Sequence, residues 1–149
     1  MELFRLGNCK FCADLSGEGS RLYSGRWNSV GVSAVYFATT RALALLEVLV
    51  HLPPNLLPEN FCMSVFKIEA SCVELEADEL PSNWNVFPFP KKIQLLGDEF
   101  FKNEKNFLLK VPSAIIEGEF NIVMNPTHSK AKEMILKSSS AFSFDSRLL

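Results

Sequence analysis

Short apolar stretches separated by turn residues divide this chain, and no stretch repeats. Glu2 to Leu6 predicts a first strand. Residues 7 to 33 carry many Gly and Ser with little periodicity and predict a long loop, which in a compact domain is usually functional or disordered. That loop carries Arg21, Tyr23, Arg26 and Trp27, an unusual load for a linker. Ala34 to Ala38 predicts a buried strand, after which Thr39 or Thr40 can cap a helix from Arg41 to about His51. This helix is apolar nearly all round and is expected inside the protein.

The second half predicts mostly strands. They are Phe61 to Glu69, extended by Cys72 to Leu75, then Phe107 to Val111, Ala114 to Glu117, Phe120 to Met124 and Ala141 to Asp145, with Glu133 to Lys137 a weaker signal. Pro81 to Pro90 predicts an irregular crossing rich in Trp and Pro, and Leu95 to Asn103 a short helix. Strands outnumber helices and connections are short. The pattern therefore points to an α+β domain built on a mainly antiparallel, twisted or split sheet.

Composition narrows the class. The 149 residues fit one domain, 1–149, and 48% hydrophobic with 21% charged residues excludes disorder. The longest apolar run, Ala42 to Leu52, is broken by Glu47 and His51 and falls short of the ~20 residues of a membrane span. The start, Met-Glu-Leu-Phe-Arg-Leu, lacks the pattern of a secretory signal, so a soluble cytoplasmic protein is expected. A net charge of −2 and the lack of a basic stripe argue against direct nucleic-acid or membrane binding.

Four cysteines, Cys9, Cys12, Cys62 and Cys72, are then expected as reduced thiols. Cys9 and Cys12 form a C-x-x-C pair that can be redox-active or half a zinc site. No His lies near it, and the second pair is too widely separated for a zinc finger. No metal is expected, and two small buried or half-buried side chains are the simpler account.

Some residues look too costly to be structural. Glu47 has Leu43, Ala44 and Val50 among its helical neighbours, so its carboxylate needs a partner or solvent at a helix edge, or His51. Tyr36 lies in the apolar strand just before, and the strand–turn–helix can bring both to one cleft. Arg26 lies in Gly25-Arg26-Trp27-Asn28, where glycine permits close backbone approach and Arg offers a planar fork for phosphate or carboxylate. Stacking on Trp27 or pairing with a surface acid would be its structural role. Arg5 faces away from Phe4 and Leu6, toward a groove or water. Ser113 follows Pro112 at a strand break, without the elbow or the His and Asp of a hydrolase triad. His128 reads as a surface turn residue and His51 as a helix C-terminal residue.

In order along the chain, Gly25-Arg26-Trp27-Asn28 with Gly31, Val35-Tyr36-Phe37-Ala38, Ala42 to His51 with Glu47, Val111-Pro112-Ser113, Asn125-Pro126 and Phe142 to Leu148 resemble the RES domain family, named for an Arg, a Glu and a Ser. Two departures are Ser24, where the family often has Gly, and Ser29, where it often has Pro. The resemblance implies an ADP-ribosyltransferase-like fold of diphtheria-toxin type. It also implies the toxin half of a toxin–antitoxin pair, with an Xre-like helix-turn-helix antitoxin as partner and homodimerisation as a further expectation. It implies NAD as substrate with no cofactor, the activity being either cleavage of the nicotinamide–ribose bond or ADP-ribosylation of a protein. Arg26, Glu47 and Ser113 would be the name-giving catalytic residues, with Tyr36, Arg5 and Arg26 binding NAD. No G-x-G-x-x-G follows a strand, which agrees with NAD consumed rather than held for redox work. A non-enzymatic interaction module is the competing class, with Trp84, Phe87 and Phe89 as a candidate contact surface.

Overall fold

The computed structural model describes residues 1–149. Seven strands form one sheet in the order β4-β5-β6-β2-β1-β3-β7. In chain order these are β1 (Glu2–Asn8), β2 (Val35–Ala38), β3 (Phe61–Lys67), β4 (Val73–Glu74), β5 (Leu108–Pro112), β6 (Phe120–Met124) and β7 (Ile135–Phe142). Every neighbouring pair is antiparallel except β4 with β5, so the mainly antiparallel α+β expectation holds. The sheet is nearly split at its middle, because β1 and β2 share a single register pair, Phe4 with Ala38.

Alternation along the strands assigns the two faces. On one face Leu3, Phe37, Phe66, Ile122 and Met124 form a buried cluster, with Phe37 and Phe66 edge to face at 5.2 Å. On the other, Phe4, Leu6, Ala38, Met63 and Val65 pack under Leu43 and Ala44 of helix α2 (Arg41–Leu49). Farther along that face, Leu109, Val111 and Val123 pack with Trp27 and with Ile93 and Phe101 of helix α3 (Lys91–Lys102). Two helices thus sit over one side of the sheet, one on each half.

Several elements differ from the sequence reading. β1 runs on to Asn8, and a six-residue helix, α1 (Glu18–Tyr23), interrupts the expected loop. It starts at Gly17 with φ 70°, a conformation glycine adopts freely, and no side chain caps it. Helix α2 ends at Leu49 and buries only Leu43 and Ala44, so it lies on the surface, not inside. Its N-cap is Thr40, whose hydroxyl accepts from Leu43 N at 3.0 Å.

Helix α3 begins four residues before the expected Leu95. Its inward face is Ile93, Gln94, Gly97, Asp98 and Phe101, while Leu95 and Leu96 face solvent. Polar residues on the buried side hid its period. Phe61 to Glu69 ends as a strand at Lys67, and the expected extension over Cys72 to Leu75 is instead β4, on the far edge beside β5. Ala114 to Glu117 is a turn, closed by Ser113 N donating to Glu119 O at 2.8 Å and by Gly118 at φ 83°. Ala141 to Asp145 and Glu133 to Lys137 merge into β7, an exposed edge strand whose middle carries no apolar alternation.

The expectation of four reduced thiols is corrected as well. Antiparallel pairing of β1 with β3 brings Asn8 opposite Phe61. Cys9 and Cys62 then fall 4.8 Å apart at Cα and form a disulfide, while Cys12 and Cys72 stay free. No helix is long and apolar enough to cross a membrane.

Candidate active site

Where β1 and β2 part, the sheet opens into a cavity of about 710 Å3, within the range of ligand pockets. Arg5, Arg26, Tyr36 and Glu47 all line it, together with Asn121, His51 and Phe87. Four of the five sequence-nominated residues therefore converge.

The Arg26 wall is the loop after α1. Ser24, one of the two departures from the family pattern, takes φ 65° with ψ 177°, an extended positive-φ conformation nearly confined to glycine that costs a non-glycine residue roughly 1–3 kcal/mol. Gly25 and Asn28 exchange backbone hydrogen bonds across the turn. A Cβ at Gly25 would fall 2.6 Å from the Tyr36 hydroxyl, so the close approach of loop to strand requires glycine here. Tyr36 Oη donates to Asn28 Oδ1 at 2.6 Å and accepts from Trp27 N at 3.1 Å. Burial pushes its phenol above the usual tyrosine value. Asn28 is fully buried, and its Nδ2 donates to Ser20 O and Val32 O, both at 2.8 Å.

Helix α3 holds the same loop from behind. Gln94 Nε2 donates to Gly25 O at 3.0 Å and to Asn28 O at 3.2 Å. The Asp98 carboxylate accepts from Ser29 N at 2.8 Å and from Ser29 Oγ at 2.6 Å. Gly97 lies against the Trp27 carbonyl, where an added Cβ would meet the oxygen at 1.7 Å. The second departure, Ser29, is thus the point where Asp98 grips the loop.

Arg26 neither stacks on Trp27 nor pairs with a surface acid. Its Nη1 donates to Trp84 O at 2.8 Å and Val86 O at 2.9 Å, and its guanidinium lies 5.5 Å from the centre of the Phe89 ring. It ties the Pro81–Pro90 crossing to the cavity rim. Partial burial lowers its pKa from the usual arginine value, and the facing Glu47 charge opposes that shift.

Glu47, half-buried on α2, accepts from Asn121 Nδ2 of β6 at 2.6 Å. It does not pair with His51, whose ring meets Phe87 edge to face at 5.7 Å. Arg5 reaches the cavity because the sheet is open beside it, and its Nη1 donates to the Asp14 carbonyl. Burial lowers the Arg5 pKa, and the Asp14 charge opposes this.

Ser113 is the residue not brought to the cavity lining. It is buried, and its Oγ accepts from Ile115 N at 3.1 Å and Ile116 N at 3.2 Å. That turn sets Ala114 and Ile115 against the cavity. His128 lies far from the site. Its Nδ1 accepts from Lys130 N at 3.0 Å, and its ring stacks on Phe107. Phe87 is exposed at the cavity mouth, while Trp84 and Phe89 are half-buried in this Pro81–Pro90 strap.

Asn121, Asn28, Gln94 and Asp98 were not singled out from sequence. For Asn121 a signal existed. It shares its face of β6 with the buried Val123, where a polar side chain needs a partner. The cavity thus presents one carboxylate and two guanidiniums on walls that are otherwise largely apolar. Such a set suits a ligand with a cationic end and an anionic middle.

Comparison with known proteins supplies the family of the chain. The model of the RES domain family matches residues 2–145. A protein of Photorhabdus laumondii called "Toxin Res" is 40% identical over 129 residues, covering 85% of this chain and 82% of its own. "Prs ADP-ribosylating toxin" of a Sphingobium species is 35% identical over 140 residues, covering 91% of this chain and 87% of its own. In the crystal structure of the M. tuberculosis MbcT-MbcA toxin–antitoxin complex, one chain superposes with a TM-score of 0.74 at 17% identity. The match covers 95% of this chain and 84% of that one, a likeness of fold.

Proposed function

The chain belongs to the RES domain family, and on that premise we propose that it is a toxin that cleaves the nicotinamide–ribose bond of NAD. One observation carries the reading. Glu47, anchored by Asn121, shares a largely apolar cavity with the Arg5 and Arg26 guanidiniums. NAD has a cationic nicotinamide ring joined to ribose and a doubly negative diphosphate beyond it, the charge order that this lining complements.

In the reaction the bond from ribose C1′ to the pyridinium nitrogen breaks. The electron pair leaves with nicotinamide, which departs neutral and needs no acid. Positive charge grows on the ribose, as in other glycosidic cleavages. A fixed carboxylate facing that charge where water is restricted lowers the barrier. Glu47 fills this role. Water or phosphate then bonds to C1′, and its proton passes to solvent. Arg26 and Arg5 hold the diphosphate, and Arg26 does so while keeping the strap in place. The Tyr36 ring offers a face for a base, and its hydroxyl holds the loop. Ser113 acts here as a positioning residue for the Pro112–Ile115 wall.

Loss of NAD in the cytoplasm would arrest growth, so the cell that makes this protein needs an inhibitor. An Xre-like antitoxin seated over the cavity mouth, where Phe87 and Val50 are exposed, fits that need. A second reading, transfer of ADP-ribose to a protein side chain, is favoured by the name of the Sphingobium relative. Purified protein incubated with NAD should release free nicotinamide. Release without labelled protein in a cell extract supports hydrolysis, and a labelled band supports transfer. No release with water, phosphate or extract as acceptor rejects both and favours an interaction module.

A further inference from the structure

The loop that anchors Arg5 begins at a covalent staple. Cys9 is joined to Cys62 where β1 ends and β3 begins, and Cys9 lies exposed on the surface. Five residues on, the Asp14 carbonyl accepts from Nη1 of Arg5, a residue of the cavity lining. Between them the backbone bonds are local: Phe11 N and Cys12 N both donate to Asn8 O at 2.9 Å, and Lys10 N donates to Asn8 Oδ1 at 2.9 Å. Besides the staple, the start of this loop is tied to the sheet by Cys9 N donating to Asn60 O at 2.8 Å and by the buried Cys12 thiol at 3.4 Å from Ser139 Oγ. The disulfide is thus the strongest link between the sheet and the segment that positions one of the two cavity guanidiniums.

We propose that Cys9–Cys62 is a redox-modified site whose reduction by a dithiol loosens residues 9–16, releases Arg5 from Asp14 and weakens NAD binding. The proposal rests on the dinucleotide reading above. A thiolate of the dithiol attacks one sulfur of the bond, forming a mixed disulfide and freeing the other cysteine. The second thiol of the reagent then displaces the remaining cysteine and closes its own disulfide. Two electrons pass to the protein, and both cysteines end as thiols. The protein with the staple closed is the tight-binding form and the reduced protein the weak one.

The test uses the full chain with Glu47→Gln, which keeps NAD intact during binding. Protein oxidised with diamide should show two reactive thiols when denatured, Cys12 and Cys72, and four after dithiothreitol. Titration calorimetry should give an NAD dissociation constant roughly five- to tenfold higher in the reduced form, the low end of coupling between two sites. Hydrogen exchange of residues 9–16 should rise at the same time. Cys62→Ser should match the reduced form without dithiothreitol, and Cys72→Ser should keep the full response. Four thiols after diamide, or equal affinity and equal exchange in both forms, overturns the proposal. If exchange rises on reduction but neither form binds NAD, the staple holds the loop as described and the dinucleotide reading fails.

Discussion

The two walls of the cavity are built differently. The Arg26 loop is fixed by a buried polar network: Tyr36, Gln94 and Asp98 bond to the five-residue turn Gly25–Ser29, and Asn28 within that turn ties it to Ser20 O and Val32 O. The Glu47 wall is a surface helix whose carboxylate has one hydrogen-bond partner, Asn121. One wall is locked because its backbone groups would otherwise be buried without partners. The other leaves its carboxylate half-exposed and able to meet a charge. Damage to the first should appear as lost stability, and damage to the second as lost chemistry.

The largest effect should come from the locked wall. Asn28→Ala leaves Val32 O without a partner and the Tyr36 proton without an acceptor, and takes from Ser20 O one of its two donors, at a cost of about 4 kcal/mol from ~1–3 kcal/mol for each of the two orphaned groups. Urea unfolding should show this as a lower midpoint. A midpoint near that of the wild type would mean that the network is not what fixes the loop. Glu47→Gln should do the converse, with a midpoint within ~0.5 kcal/mol of the wild type and nicotinamide release slowed by about two decades, near 2.7 kcal/mol. A large drop in stability together with unchanged turnover would invert the comparison.

Tyr36→Phe sits between the two. Losing the hydroxyl frees Trp27 N and Asn28 Oδ1 and should cost about 2 kcal/mol, the low end of ~1–3 kcal/mol for each, because both bonds are only part-buried. The pH dependence supplies a second signature. Burial raises the Tyr36 pKa, so the folded state keeps a proton that the unfolded state loses as pH passes the ordinary value of 10.0. Folding should therefore weaken with rising pH in that alkaline range, by up to ~1.4 kcal/mol per pH unit from this group, and show no such effect below about pH 9. The Phe variant should lack that increment. Parallel alkaline curves for the two proteins would show that the phenol is not held neutral by the fold. The smallest effect belongs to Ser113→Ala, about 1 kcal/mol of stability with turnover within threefold, because its oxygen serves the turn. A loss of activity as large as that of Glu47→Gln would instead put Ser113 in the chemistry.

How much was legible in the sequence follows the same division. β1, β2, β3 and β6 and the start of α2 stand out because one period of apolar residues runs through each. That Tyr36 and Glu47 share a cleft was readable from the short strand–turn–helix between them, whereas the placing of Arg26 and Arg5 beside them came only from the resemblance to the family. The polar network was not readable. Gln94 and Asp98 occupy the buried face of α3, so they broke the pattern that would have revealed its first turn and left the exposed Leu95 looking like its start. Helix α1 has too few residues to show a period. The staple joins cysteines 53 positions apart, and only the β1–β3 register brings them together. Local pattern records burial of apolar groups well. Polar groups buried for the sake of a distant loop leave no local trace.

Replacing a mid-helix glycine by alanine is a standard route to heat resistance, usually raising stability by about 1 kcal/mol. At position 97 this engineering rule should backfire, since the new methyl would land on the Trp27 oxygen and push α3 off its seat. The residue that looks like a flaw in that helix is what lets it reach the loop at all, and a thermostabilisation programme should leave it alone.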